Sequence, residues 1–139
     1  MEPLSLAASV IAVATLAGTT AKGFIKLRAL HKDVPGRVNA LHNEVTDLEL
    51  VLRNIAAVVP ERPDLTDAEL AIRQLLERSR TGLKELGNVV GRLDLAIRKR
   101  VRIFQGLSWQ KEHAHLETLQ KELNSTKCSF NVLLGASNS

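Results

Sequence analysis

The amino-terminal part of the chain contains an uncharged segment that is long enough to cross a membrane. Residues 3–21 read PLSLAASVIAVATLAGTTA and carry no charged side chain. As a helix, this segment would be about 28 Å long, close to the roughly 30 Å hydrocarbon core of a bilayer. Its apolar residues are mostly Ala and Val, diluted by Ser and Thr, so it also suits the core of a soluble bundle. The function depends on which environment the segment occupies, and the two can alternate.

Six bulky apolar side chains supply most of the hydrophobicity of this segment, and we predict that they insert into the membrane: Leu4, Leu6, Val10, Ile11, Val13 and Leu16. Each favours insertion by about 0.3–0.6 kcal/mol, which gives roughly 2–4 kcal/mol in total. Five hydroxyl side chains, Pro3 and Gly18 oppose insertion. The balance predicts a helix that inserts only marginally, unlike a permanent membrane anchor.

A secretory signal peptide is an alternative interpretation of this apolar segment. Signal peptides begin with a positively charged region. Here Glu2 precedes the apolar run, and the first cations, Lys22 and Lys26, follow it. The order of the charges therefore argues against a signal peptide.

The composition predicts one domain with an aliphatic core. The chain has 139 residues, of which 45% are apolar, with three Phe, one Trp and no Tyr. Its net charge of +4 permits an anionic partner without requiring one. The single cysteine, Cys128, excludes an intrachain disulfide and fits the reducing cytoplasm. Because Cys128 lies beside an apolar seam, we predict a small buried side chain there.

Four helical segments follow one another, separated at Pro35, at Pro60 and Pro63, and at Gly106. In the last three segments, apolar residues recur at alternating intervals of three and four, which indicates a seam between packed helices. In chain order the three seams are Val38, Leu41, Val45, Leu48, Leu52, Ile55 and Val59, then Ile72, Leu76, Ser79, Leu83, Leu86, Val90, Leu93, Ile97 and Phe104, then Glu112, Leu116, Leu119, Leu123, Thr126, Phe130 and Leu133.

These segments predict an all-α fold, a roughly antiparallel four-helix bundle. The first helix is predicted to pack against the other three through one stripe, formed by Leu6, Val10, Val13, Ala17 and Phe24. An extended coiled coil is the alternative, but the prolines and Gly106 argue against a single rod. The bundle is predicted to occupy residues 1–134, with residues 135–139 as a frayed tail or the cut end of the segment.

Details of the helix ends are also predicted. Thr66 and Glu69 form a capping box before the third segment, and Ser108 is an N-cap for the fourth. Three glycines interrupt the third segment, and a bend or break is predicted near residues 87–92. The end near residues 98–102 is predicted either to protrude from the bundle or to fold back as an extra short helix near residues 92–105.

No residue pattern indicates catalysis, so we predict that the chain is not an enzyme and needs no cofactor or metal. His113 and His115 are two residues apart and point to different sides of a helix. His31 and His42 alone would not complete a zinc site. No phosphate-binding glycine loop is present in the sequence.

A basic stretch near the end of the third segment has two interpretations. Cations near a helix C-terminus are favoured by the helix dipole, so they could simply be solvated. Alternatively, they contact lipid headgroups, with Trp109 and Phe104 as interfacial aromatics. The predicted headgroup contacts are Arg92, Arg98, Lys99, Arg100, Arg102 and Lys111. Nucleic acid is a weaker candidate partner, since aromatic residues for stacking are nearly absent.

Residues 1–13, MEPLSLAASVIAV, resemble the start of fungal HeLo-like domains, which typically open with Met, an acidic residue, Pro-Leu-Ser, a hydrophobic residue and Ala-Ala-Ser. Residues 47–52 are similar to the second-helix seam of that family, and residues 116–123 to its last amphipathic helix. Residues 107–112, LSWQKE, resemble its Lys-Trp-Pro-Phe-Lys-Glu junction, from which Ser108 and Gln110 depart.

The resemblance implies a cell-death effector domain of fungal NOD-like receptors and their partner proteins, similar to the helical bundle of mixed-lineage kinase-like necroptosis proteins. In such systems, amyloid templating clusters the bundles, which then reach the plasma membrane and kill the cell. Glu2 matches an acidic position that the resemblance links to toxicity. No amyloid motif precedes Ser139, as expected for an isolated domain.

The predicted mechanism has two states. At rest the domain is cytoplasmic, with the first helix packed in the bundle. After clustering by a receptor or an amyloid motif, the homo-oligomer binds anionic phospholipid at the plasma membrane and the first helix inserts, perturbing the membrane or forming a pore. The alternative is a helical oligomerisation or adaptor module with no membrane activity.

Overall fold

The computed structural model of the chain describes residues 5–30, 36–59, 67–98 and 107–138. They form four α-helices: α1 (Leu6–Leu30), α2 (Gly36–Val58), α3 (Asp67–Arg98) and α4 (Leu107–Asn138). No strand occurs in these four ranges. The prediction of an all-α four-helix bundle is therefore confirmed.

The helices lie at the corners of a square in the order α1, α2, α4, α3. α1 packs against α2 and α3, and α4 packs against the same two helices. Among the described residues, no Cα atom of α1 lies within 8 Å of one in α4. The prediction that the first helix packs against all three others is therefore wrong, because α4 occupies the diagonally opposite corner.

Close contacts between side chains give the direction of each helix. Gly18 lies against Glu49 and Phe24 against His42, so α1 and α2 are antiparallel. α1 and α3 run in the same direction, because residues 9–16 face residues 73–84 and Gly23 faces Val90. α3 and α4 are antiparallel, since residues 71–78 face residues 129–133 and residue 82 faces residue 123. The ends of α1 and α3 and the starts of α2 and α4 therefore share one end of the bundle.

The predicted seams form the core. Every described seam side chain is buried except three that are half-buried at the edge of the core, namely Val59, Ile72 and Leu133. Phe24 and Phe130 are the largest fully buried side chains, and the rest of the core is aliphatic. Ser79 and Thr126 are buried polar seam residues, and each donates its hydroxyl to the carbonyl four residues earlier in its own helix.

The break predicted near residues 87–92 is absent, and α3 continues through it to Arg98. Gly87 and Gly91 are exposed, and a β-carbon added at either position would meet no atom of another helix within 4 Å. The buried neighbours Val89, Val90 and Leu93 hold this stretch against the core, and such packing outweighs the low helix propensity of glycine. Residues 92–98 of the predicted extra helix thus belong to α3, and residues 99–105 lie outside the described ranges.

Helix α4 differs from its prediction at both ends. It begins at Leu107, so Ser108 lies inside its first turn, and it continues through Gly135 to Asn138, where the sequence predicted fading. Of the capping box before α3, Thr66 lies outside the described residues. Glu69 lies within α3 and accepts hydrogen bonds from Arg73, at 3.0 Å from Nη2 and 3.2 Å from Nε.

The prediction that Cys128 is buried is wrong, since the thiol is exposed. The two neighbouring core residues, Thr126 and Phe130, point into the bundle. A residue midway between them on a helix is rotated by about 200° from each and points outwards. The Sγ atom of Cys128 lies 3.9 Å from Oδ1 of Asn124 on the same helix.

Candidate membrane-contact surface

The predicted membrane-inserting residues of α1 lie mostly in the core. Leu6, Val10 and Val13 are buried, Leu16 is half-buried, and Ile11 is 47% exposed. Leu4 and the predicted functional acid Glu2 lie outside the described residues. In the bundle, the inner stripe of α1 is therefore protein core, and only one of these six side chains is shown to face water.

The outer face of α1 is exposed and uncharged for most of the helix. Ile11, Ala12, Thr15 and Thr19 are exposed, and the first charged residue on this face is Lys22. The exposed faces of the other helices carry charges, for example Asp47 on α2 and Lys121 on α4. Among the described helices, α1 alone is long and apolar enough to cross a membrane, a property that core helices of soluble proteins also possess.

The contacts that hold α1 in the bundle are apolar or steric. The Phe24 ring packs on the imidazole of His42, with 6.0 Å between the ring centroids. In the described ranges no ion pair joins α1 to another helix, whereas Lys127 of α4 pairs with Glu44 of α2 at 3.0 Å. His115 of α4 likewise lies 3.3 Å from Glu85 of α3. Among the described residues, α1 is thus held by packing alone, whereas α4 is also held by ion pairs to α2 and α3.

His42 of α2 is the polar side chain whose ring packs against Phe24 of α1. Its Nδ1 atom is buried and has no hydrogen-bond partner. Burial lowers the pKa of His42, and the nearby positive charge of Arg28 lowers it further. The imidazole is therefore kept neutral at the α1–α2 contact.

The predicted headgroup contacts lie on elements that meet at one end of the bundle. Arg92 is exposed on α3. Arg98 lies at the end of α3 and Lys111 at the start of α4, and the structure describes their backbone only. Lys99, Arg100 and Arg102 lie outside the described residues. The last two turns of α1, with Lys26 and Arg28, reach the same end. The topology thus collects cations from three helices, which sequence separation alone does not reveal.

A groove of about 510 Å³ runs between α1 and α3, and sequence reasoning missed it. Its α1 wall is formed by Ser9, Ala12, Val13 and Leu16, and its α3 wall by Arg73, Leu76, Glu77, Arg80 and Lys84. The cations are spaced seven and four residues apart, which places them on one helix face. The sequence shows this spacing, but it does not show that these cations lie beside α1.

In residues 5–30, 36–59, 67–98 and 107–138, no group of three or more His, Cys, Asp and Glu side chains is placed to hold a metal ion. His31 lies outside these residues, and the side chain of His113 is not described.

Comparison with protein-family models, curated proteins and solved structures finds no match to this chain.

Proposed function

We propose that this chain is a membrane-targeting effector domain whose α1 helix leaves the bundle and inserts into a bilayer after the domain oligomerises. The observation that carries the proposal is the exposed face of α1, on which Ile11, Ala12, Thr15 and Thr19 precede the first charged side chain, Lys22, although the helix lies at a corner of the bundle. The exposed faces of α2 and α4, by contrast, carry charged side chains such as Asp47 and Lys121, as is usual for helices of a soluble bundle.

The energetics of the exchange support this proposal. The inner stripe of α1 moves from protein to lipid, which are similarly apolar, while the exposed Ile11 and Ala12 gain burial. The hydroxyl of Thr19 donates to the carbonyl of Thr15 at 3.1 Å, and that of Thr20 to Leu16 at 2.9 Å. These hydroxyls keep their partners inside the helix, so their cost in lipid is reduced.

Release of α1 breaks no ion pair between the described residues, since those pairs join the other helices. What α1 loses is its packing against α2 and α3, and lipid chains replace those contacts around α1. Clustering favours the inserted state, because many copies hold their cations at one anionic surface together. Arg92, Arg98, Lys99, Arg100, Arg102 and Lys111 are the proposed headgroup contacts, and Glu2 stays at the far surface or lines a pore.

The resemblance of residues 1–13 to fungal HeLo-like domains supports a role in regulated cell death. In this proposal the resting domain is cytoplasmic and the activated homo-oligomer is at the plasma membrane. A NOD-like receptor or an amyloid motif in the full-length protein triggers assembly. In this proposal the domain acts by physically perturbing the bilayer and does not catalyse a reaction.

The experiment that tests the proposal is dye release from anionic and neutral vesicles by the clustered domain. Ile11→Asp places a charge on the outer face of α1 and should abolish release, because a charged residue opposes insertion by about 2.5–3.5 kcal/mol. Leu50→Asp is the matched control, since Leu50 is a 63% exposed residue of α2. Equal release by the wild type and Ile11→Asp would overturn insertion of α1.

The deep burial of the α1 inner stripe favours a second candidate, an oligomerisation or adaptor module in which α1 is permanent core. Hydrogen exchange separates the two candidates. If α1 amides remain equally protected in vesicle-bound assemblies and no dye is released, the adaptor role is the better one.

A further inference from the structure

We propose that the folded bundle docks on an anionic bilayer through the side formed by α1 and α3, before α1 is released. In this docked state Arg80 and Lys84 contact lipid phosphates while the uncharged face of α1 lies on the interface. This inference rests on the proposed function and assigns the contact to residues outside the basic end of the bundle.

The charges of the helices are divided unequally between opposite sides. α1 has three cations and no acid, and α3 has six cations and five acids. α2 has two cations and three acids, and α4 has three of each. Helices α1 and α3 together therefore carry a net charge of +4, which comes from residues 22–28 and 92–98, and α2 and α4 together carry −1. An anionic surface attracts the α1–α3 side and orients the bundle.

The groove between α1 and α3 joins an apolar wall to a cationic wall. Arg73, Arg80 and Lys84 follow one edge of α3 over about 16 Å, with Glu77 as the acid among them. Arg73 already pairs with Glu69 at 3.0 Å. Arg80 and Lys84 are exposed, and no described carboxylate lies within 4 Å of either. These two cations are therefore the ones available to phosphate groups.

The apolar wall decides which anionic partner fits the groove. Ala12, Val13 and Leu16 of α1 offer no hydrogen-bonding side chain, and Ser9 is the one polar residue that lines this wall among the described residues. A nucleic acid would leave this wall unpaired, because its surface is lined with phosphates and sugars. A bilayer interface offers phosphates and acyl chains within a few ångströms, as amphipathic helices exploit. The two walls thus match an anionic bilayer.

The test compares two variants that each remove two positive charges. Arg80→Gln/Lys84→Gln removes the cations of the groove. Arg78→Gln/Lys121→Gln is the matched control, since Arg78 lines the opposite flank of α3 towards α4 and Lys121 is exposed on α4. Binding to vesicles with and without phosphatidylserine is measured by co-sedimentation, dye release is measured on the same samples, and circular dichroism confirms folding.

The expected result is a roughly thirtyfold weaker binding of the groove variant to anionic vesicles, equivalent to about 1 kcal/mol for each cation. The control variant should change binding by less than threefold. If both variants weaken binding equally while dye release at saturating protein persists, the docking side is wrong and the proposed function stands. If the wild type neither binds nor releases dye, both are overturned.

Discussion

The Glu49 carboxylate of α2 reaches over α1 at Gly18, and a β-carbon at position 18 would stand 2.9 Å from Oε2. Arg53 holds the same oxygen from its own helix, at 3.2 Å from Nη2. A charged group of α2 thus rests on the uncharged part of α1, because residue 18 has no side chain. The apolar core holds α1 and α2 together, and at this point their close approach requires the small residue at position 18.

Replacing this glycine with a large residue should loosen α1. Gly18→Leu is expected to lower the free energy of unfolding by about 1–3 kcal/mol, because its side chain collides with Glu49. Under the proposed function it should also accelerate dye release, since α1 is held less firmly and becomes more apolar. Chemical denaturation measures the first effect and vesicle leakage the second.

The control is the double variant Gly18→Leu/Glu49→Ala, in which the collision is removed. In the Glu49→Ala background, Gly18→Leu should lower the free energy of unfolding much less than it does in the wild type. A double-mutant cycle quantifies this coupling. Additive effects of the two substitutions would show that Glu49 and Gly18 do not constrain each other.

Adjacent residues of α1 should respond in opposite ways to the same substitution. Val10 is fully buried and Ile11 is 47% exposed. Val10→Asp should lower the free energy of unfolding by more than about 3 kcal/mol, because it buries an unpaired carboxylate. Ile11→Asp should change it by less than about 1 kcal/mol, since its carboxylate stays in water. Urea denaturation followed by circular dichroism measures both, and equal losses would contradict the assigned orientation of α1.

The periodicity of the sequence predicted which residues form the core, because helices can bury only one stripe each. Val38 and Leu52 on α2 and Leu83 on α3 lie where their spacing placed them. The same pattern does not specify which helix each seam faces. The position of α4 diagonally across from α1 depends on contacts between residues far apart in sequence, and so does the groove that holds Arg80 and Lys84.

Local propensity predicted less than periodicity. The glycines at 87 and 91 indicated a break, but they lie on the outer face of a helix whose inner face is packed. Cys128 was assigned to the core by its apolar character, although its neighbours on the seam already fill that place. In both cases tertiary packing overrode the preference of a single residue.

The ion pair between Lys127 of α4 and Glu44 of α2 should contribute more to the stability of the bundle than an ordinary surface ion pair. Lys127 lies 3.0 Å from Glu44 and 3.6 Å from Asp47, and both Lys127 and Glu44 are largely buried. Burial alone lowers the pKa of Lys127, but the hydrogen bond and charge of Glu44 and the charge of Asp47 outweigh it and raise the pKa. Lys127→Met should cost about 1–3 kcal/mol, because Glu44 loses its partner.

Thermal and urea unfolding measure this loss, and Lys127→Met/Glu44→Leu is the control that removes the orphaned carboxylate. The double variant should regain much of the stability at neutral pH. For a lysine with a raised pKa, the stabilisation is present below the unfolded value of 10.5 and is lost as the pH rises through the folded value. Lys127→Met with unchanged stability at pH 7 would contradict this assignment.

Acid should weaken the α1–α2 contact through His42. Its pKa is lowered in the folded protein by burial and by Arg28, while the unfolded chain titrates near 6.5. Between these two values the unfolded state binds more protons, so stability is full above pH 6.5 and falls as the pH decreases towards the folded pKa. His42→Phe keeps an aromatic ring against Phe24 and cannot be protonated. Urea denaturation from about pH 7.5 to about pH 5 should therefore show a steeper loss of stability for the wild type than for His42→Phe. Parallel profiles would mean that His42 is protonated as easily in the bundle as in the unfolded chain.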